Sequence, residues 1–187
     1  MAYHFICNMF FFCPCCRYVD THADITKAIR LVLDSKTDYP SACNAAETIL
    51  VHTDLVATGH AADIVRALQQ AKVTVHVGPR LAPQFPHLPV AMSLHHEYSA
   101  LEVTMEVVDD VGAAIVHINR YGSGHTDVIV TEAAATAARF LRGVDSACVF
   151  HNASTRFADG FRFGLGAEVG ISTGVCPWVF FFFFFHI

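Results

Sequence analysis

Charge is sparse in this chain. Only 16% of its 187 residues are Asp, Glu, Lys or Arg, the net charge is −5, and Lys and Arg form no cluster. Phosphate recognition needs a basic face, so nucleic acid is excluded as a partner. The first sixteen residues contain neither Lys nor Arg and therefore do not read as a secretory signal. No apolar run reaches the roughly 18 residues of a membrane span, and no internal repeat is visible. The seven cysteines form no disulfide framework, which suits a reducing compartment: the cytoplasm, with an organelle left open. Cys7, Cys13, Cys15 and Cys16 crowd together but lack the two C-x-x-C turns of a zinc ribbon, so no metal is assigned. The histidines, at His52, His60, His76, His87 and elsewhere, are scattered rather than set at ligand spacing, and read as ordinary surface or partly buried residues.

What is present is alternation. Ile25, Ala28, Ile29, Val32 and Leu33 fall at helical spacing within 23–36, with Asp20 or Thr21 available as a cap, and Pro40 ends that element. Further helices are predicted over 61–71, 111–120 and 133–141. Strands are predicted over 47–52, 73–77, 101–108, 127–131 and 147–151, and a Pro-rich loop over 81–89. Helices alternating with strands imply an α/β fold, a mostly parallel sheet covered on both faces, in one domain.

Two runs carry candidate chemistry. The first is Asp38-Tyr39-Pro40-Ser41-Ala42-Cys43-Asn44-Ala45-Ala46-Glu47-Thr48. A thiol among small residues suits an acyl-transfer nucleophile, because a thiolate attacks readily once neighbours lower its pKa. A buried structural cysteine is the alternative. The second run, from His151 to Gly160, holds Asn152, Ser154, Thr155 and Arg156 just after a strand end, where open α/β sheets bind ligands. Arg156 could clamp a carboxylate or phosphate, or pair with a structural acid such as Asp159. Phe163-Gly164-Leu165-Gly166 lacks the strand-to-helix setting of a dinucleotide fingerprint. Its glycines would instead allow close backbone approach at the mouth of a site.

The chain resembles gamma-glutamyl phosphate reductases of the aldehyde dehydrogenase superfamily. It is most like the form fused to a kinase in bifunctional delta-1-pyrroline-5-carboxylate synthase. The likeness rests on the two runs and on Tyr18-Val19-Asp20, Gly78-Pro79-Arg80, His95-His96-Glu97-Tyr98-Ser99, Val107-Val108-Asp109-Asp110, His125-Thr126-Asp127 and Val144-Asp145-Ser146-Ala147. It implies an aldehyde-dehydrogenase-like catalytic domain over 18–173, flanked by non-family segments at 1–17 and 174–187. The second of these carries six consecutive phenylalanines, Phe180 to Phe185. Such ends fit translated intron or an incomplete gene model, and residues 1–16 and 174–187 are expected not to pack with the core.

By the same resemblance, Cys43 attacks L-glutamate 5-phosphate, expels phosphate and forms a thioester, which NADPH reduces to L-glutamate 5-semialdehyde on the route to proline. Asn152, Ser154, Thr155 and Arg156 would bind substrate, and Glu97 would contact the nicotinamide ribose. The complete enzyme would be a homo-oligomer. The cofactor domain would precede Tyr18 and is not recognisable here, so a non-catalytic product that at most associates with full-length subunits is the second reading.

Overall fold

The computed structural model describes residues 15–160 together with Arg162 and Gly164. Its elements run β1 (Cys15–Val19), α1 (Ile25–Thr37), β2 (Ala46–His52), α2 (Thr53–Ala57), α3 (His60–Gln70), β3 (Thr74–Val77), β4 (Glu102–Val108), α4 (Val111–Tyr121), β5 (Thr126–Val130), α5 (Ala134–Gly143) and β6 (Cys148–His151). The six strands form one sheet in the order β3-β4-β2-β1-β5-β6, and every pairing is parallel.

Alternation along the strands supplies two cores. Val19, Ile49, Val51, Val75, Val77, Val103 and Met105 meet α1 and α3 on one face. Tyr18, Leu50 and Ile129 meet α4 and α5 on the other, where Ile118 and Phe140 are buried. Burial of both faces lets apolar residues follow one another in the central strands, as in Ile49-Leu50-Val51 and Val128-Ile129-Val130. The α/β architecture expected from the alternation is the one observed.

Two expectations need correction. Cys15 and Cys16 do not stay outside the core: they open β1 at 0% and 1% exposure, so residue 17 lies inside a strand. β1 pairs with β5 from Arg17 to Val19 and with β2 along its whole length, and the two cysteines supply the first two β2 pairings. The amide of Cys16 donates to Asp127 Oδ1 at 2.7 Å. The cap of α1 is Asp24, which accepts from the Lys27 amide at 2.9 Å. Asp20 instead accepts from the Thr131 and Tyr18 hydroxyls, and Thr21 donates to Asp54. The five-residue α2, capped by the His52 ring, lies between β2 and α3.

Phe180–Phe185, most of the run Phe163–Gly166, and Cys7 and Cys13 lie outside the described residues. Among the described residues no three His, Cys, Asp or Glu side chains group as a metal site. None of the described helices is long and apolar enough to cross a membrane.

Candidate functional site

Cys43 lies in the turn between α1 and β2, at the amino-terminal edge of the sheet. Its side chain is exposed. The turn is built locally: Tyr39 takes a positive φ of 81°, the Ala42 amide donates to the Tyr39 carbonyl at 3.1 Å, and the Ala45 amide to the Ala42 carbonyl at 2.9 Å. Those two amides are committed to the turn and do not serve an oxyanion. From below, the Cys15 thiol donates to the Cys43 carbonyl at 3.2 Å.

Two buried clasps hold this turn. In the first, Asn44 Oδ1 accepts from Arg156 Nη1, while Asn44 Nδ2 donates to the Ala158 carbonyl at 2.8 Å. Arg156 Nε also donates to the Asp38 carbonyl at 3.1 Å. The Asp38 carboxylate lies 3.4 Å from the guanidinium and Asp159 4.0 Å. In the second, Lys36 Nζ at the end of α1 donates to Glu47 Oε1 of β2 at 2.9 Å, with side-chain exposures of 0% and 2%. The other Glu47 oxygen accepts from the Tyr98 amide at 3.1 Å. Burial pushes the Glu47 carboxyl up to about 7, against the pull of Lys36. Burial likewise lowers Lys36, against the pull of Glu47.

The sequence-derived residues divide. Arg156 reaches the Cys43 turn, and its guanidinium is spent on Asn44 and Asp38 rather than aimed at solvent. Ser154 Oγ lies 3.0 Å from Ser35 Oγ, and the Thr155 amide donates to the same Ser35 oxygen at 3.4 Å. Together they dock the returning chain on α1. Asn152 is elsewhere. It takes a φ of 51°, accepts from the Thr131 amide and donates to the Thr131 carbonyl, each at 3.0 Å. That places it at the carboxyl edge of β5.

The strand-end position therefore holds for Asn152 and not for Arg156. Leaving β6, the chain turns back along α1, so Arg156 lies at the amino edge with Cys43. Glu97 is half-buried in the segment before β4, accepts from Ser99 Oγ at 3.3 Å, and precedes Tyr98, which Glu47 holds. Lys36 and Glu47 are the residues that reading the sequence missed. Their available signal was two charged side chains bracketing the Pro40-to-Cys43 turn, one of them heading an apolar strand.

A pyrophosphate needs open N–H groups at a helix N-terminus. At the carboxyl edge α1 and α4 are capped by the Asp24 and Asp110 carboxylates, which accept from Lys27 and Ala113, whereas α3 and α5 carry no side-chain cap.

No family model matches the chain. It is 57% identical over 160 residues to delta-1-pyrroline-5-carboxylate synthase of Solanum lycopersicum, covering 86% of this chain and 22% of that protein. It is 53% identical over 165 residues to gamma-glutamyl phosphate reductase of Synechococcus sp. (strain JA-3-3Ab), covering 87% of this chain and 36% of that one. The crystal structure of gamma-glutamyl phosphate reductase from Thermotoga maritima superposes with a TM-score of 0.82 at 38% identity, over 87% of this chain and 40% of that one. A propionaldehyde dehydrogenase from Clostridium phytofermentans, at 14% identity and a TM-score of 0.59 over 83% of this chain and 43% of that one, shares the fold. The chain thus spans well under half the length of its curated relatives. In sequence and backbone the chain is similar to part of the gamma-glutamyl phosphate reductases, on a fold shared with propionaldehyde dehydrogenase.

Proposed function

We propose that this chain supplies the nucleophile-bearing part of an enzyme that reduces L-glutamate 5-phosphate to L-glutamate 5-semialdehyde in proline biosynthesis. The observation that carries the reading is the exposed Cys43 on a turn clasped from two sides, in a chain so close to reductases of that name. The Cys43 sulfur attacks the acyl carbon, the acyl–phosphate bond breaks, phosphate leaves, and a thioester remains. A thiolate suits both steps, being a strong nucleophile and a good leaving group. NADPH as hydride donor belongs to the complete enzyme, as does a homo-oligomeric assembly, and the described residues account for neither. Glu97 as a ribose contact belongs to the same proposal, whereas Ser154 and Thr155, buried against Ser35 of α1, position the returning chain instead of touching substrate. For Arg156 the role is indirect, through the turn it holds.

The test is Cys43→Ala in a complete reductase carrying this sequence over its catalytic domain. Semialdehyde formation should disappear; undiminished formation would sink the reading. The chain's span of 22% and 36% of the relatives it matches favours a second reading for the chain alone, namely that it turns over nothing by itself. Titrating the purified chain with NADPH by fluorescence, and assaying semialdehyde oxidation in phosphate, separates the two. Saturable binding or turnover would overturn the second.

A further inference from the structure

We propose that Lys36 and Glu47 form a positioning pair, a buried junction that fixes the Cys43 turn to the segment carrying Glu97. The proposal gains its catalytic meaning from the nucleophilic role of Cys43, but its geometry stands apart from that role. Lys36 closes α1 and Glu47 is the second residue of β2, so one contact of 2.9 Å ties together both ends of the turn. Glu47 then uses its second oxygen on the Tyr98 amide, 51 residues away in sequence. Tyr98 continues the link: its hydroxyl lies 2.8 Å from Thr104 Oγ1 in β4, and its ring stacks on His76 at 4.8 Å.

An ion pair buried this completely is a poor way to gain stability, because desolvating two charges offsets most of their attraction. Apolar side chains of similar size would fill the space as well. What they would lack is direction: the carboxylate accepts from the lysine and from a backbone amide together, and an apolar group accepts from neither. Glu97 and Glu102 are the other charged groups acting on the pair. Both carry the sign of Glu47, so they reinforce the need for Lys36.

The experiment uses the full chain, with amide hydrogen exchange and iodoacetamide labelling of Cys43 followed on its own peptide. In Lys36→Met, exchange at the Ala45 and Tyr98 amides should rise together by about tenfold, although Lys36 touches neither, as expected when a local opening couples both segments. Parental exchange at either amide overturns the proposal. The double variant Lys36→Met/Glu47→Leu separates positioning from filling. It should melt near the parent yet keep both amides fast, with Cys43 labelling changed about fivefold or more. Parental exchange and labelling in the double variant would reduce the pair to core filler. If neither variant folds, the pair serves stability and the proposal falls.

Discussion

The two edges of the sheet are built from similar polar residues and put them to different use. At the carboxyl edge, polar groups satisfy one another. Asp20 takes hydrogen bonds from Tyr18, Thr131 and His22, Asn152 closes on Thr131, and aspartates cap α1 and α4. At the amino edge, the polar groups also pair, but they do so beneath a turn that presents one exposed thiol. A reactive atom standing on a satisfied polar foundation is what distinguishes a site from a well-made strand end. The general preference of open α/β sheets for ligands at the carboxyl ends of strands is therefore no guide to the thiol here.

The largest effect should come from setting the two edges against each other in a complete enzyme. Cys43→Ala should lower semialdehyde formation by at least about a thousandfold, since no other group replaces a lost nucleophile. Asn152→Ala, at the opposite edge, should leave turnover within a few-fold. Equal losses would erase the distinction.

Next comes the pH response of the amino edge. His117 of α4 is buried, its Nε2 has no partner, and its ring packs 4.8 Å from Tyr121, which His95 also meets at 5.0 Å. Burial, reinforced by His95, lowers its pKa to about 4 from the ordinary 6.5. The unfolded chain thus binds more protons between these values, so stability falls as pH drops from 6.5 towards 4. His117→Leu should remove that part of the slope, about 3 kcal/mol at most. Glu47 acts with opposite sign. Its raised pKa means that stability declines as pH rises from 4.5 to about 7, so difference curves between variant and parent are the measurement. Parallel curves would show that His117 does not titrate as its burial requires.

Arg156→Ala should cost about 2 to 3 kcal/mol in denaturant melts, because it strips hydrogen bonds to a charged group and leaves Asn44 Oδ1 buried without its donor. At the carboxyl edge, burial raises Asp20, and the hydrogen bonds from Thr131, Tyr18 and His22 outweigh it, leaving the pKa below 3.8. Its contribution is present above that value and lost as pH falls through the folded pKa. Asp20→Asn should therefore cost about 1 to 2 kcal/mol at neutral pH and flatten only the acid limb below pH ~4. Loss of activity without loss of stability in Asp20→Asn would argue that the carboxyl edge is functional after all. The smallest effect belongs to Cys148→Ala in β6. That half-buried thiol should cost under about 1 kcal/mol, a packing term only.

By itself the sequence determined the alternation of helices and strands, hence a parallel sheet with two covered faces. Those features follow from local periodicity, which α1, α3 and β4 display without help from distant residues. It also determined the cysteine run and its family likeness, because Cys43, Asn44 and Glu47 lie close together in one run. Tertiary structure alone decided where β1 begins, since Cys15 and Cys16 become strand only by pairing with β2. It alone decided which edge Arg156 serves, because the partners Asn44 and Arg156 are 112 residues apart and nothing local to the 151–160 run tells the chain to double back. The Lys36–Glu47–Tyr98 junction belongs to the same class. Its members are ordinary charged and aromatic residues in the sequence, and only the folded sheet removes them from water and makes each other's company obligatory.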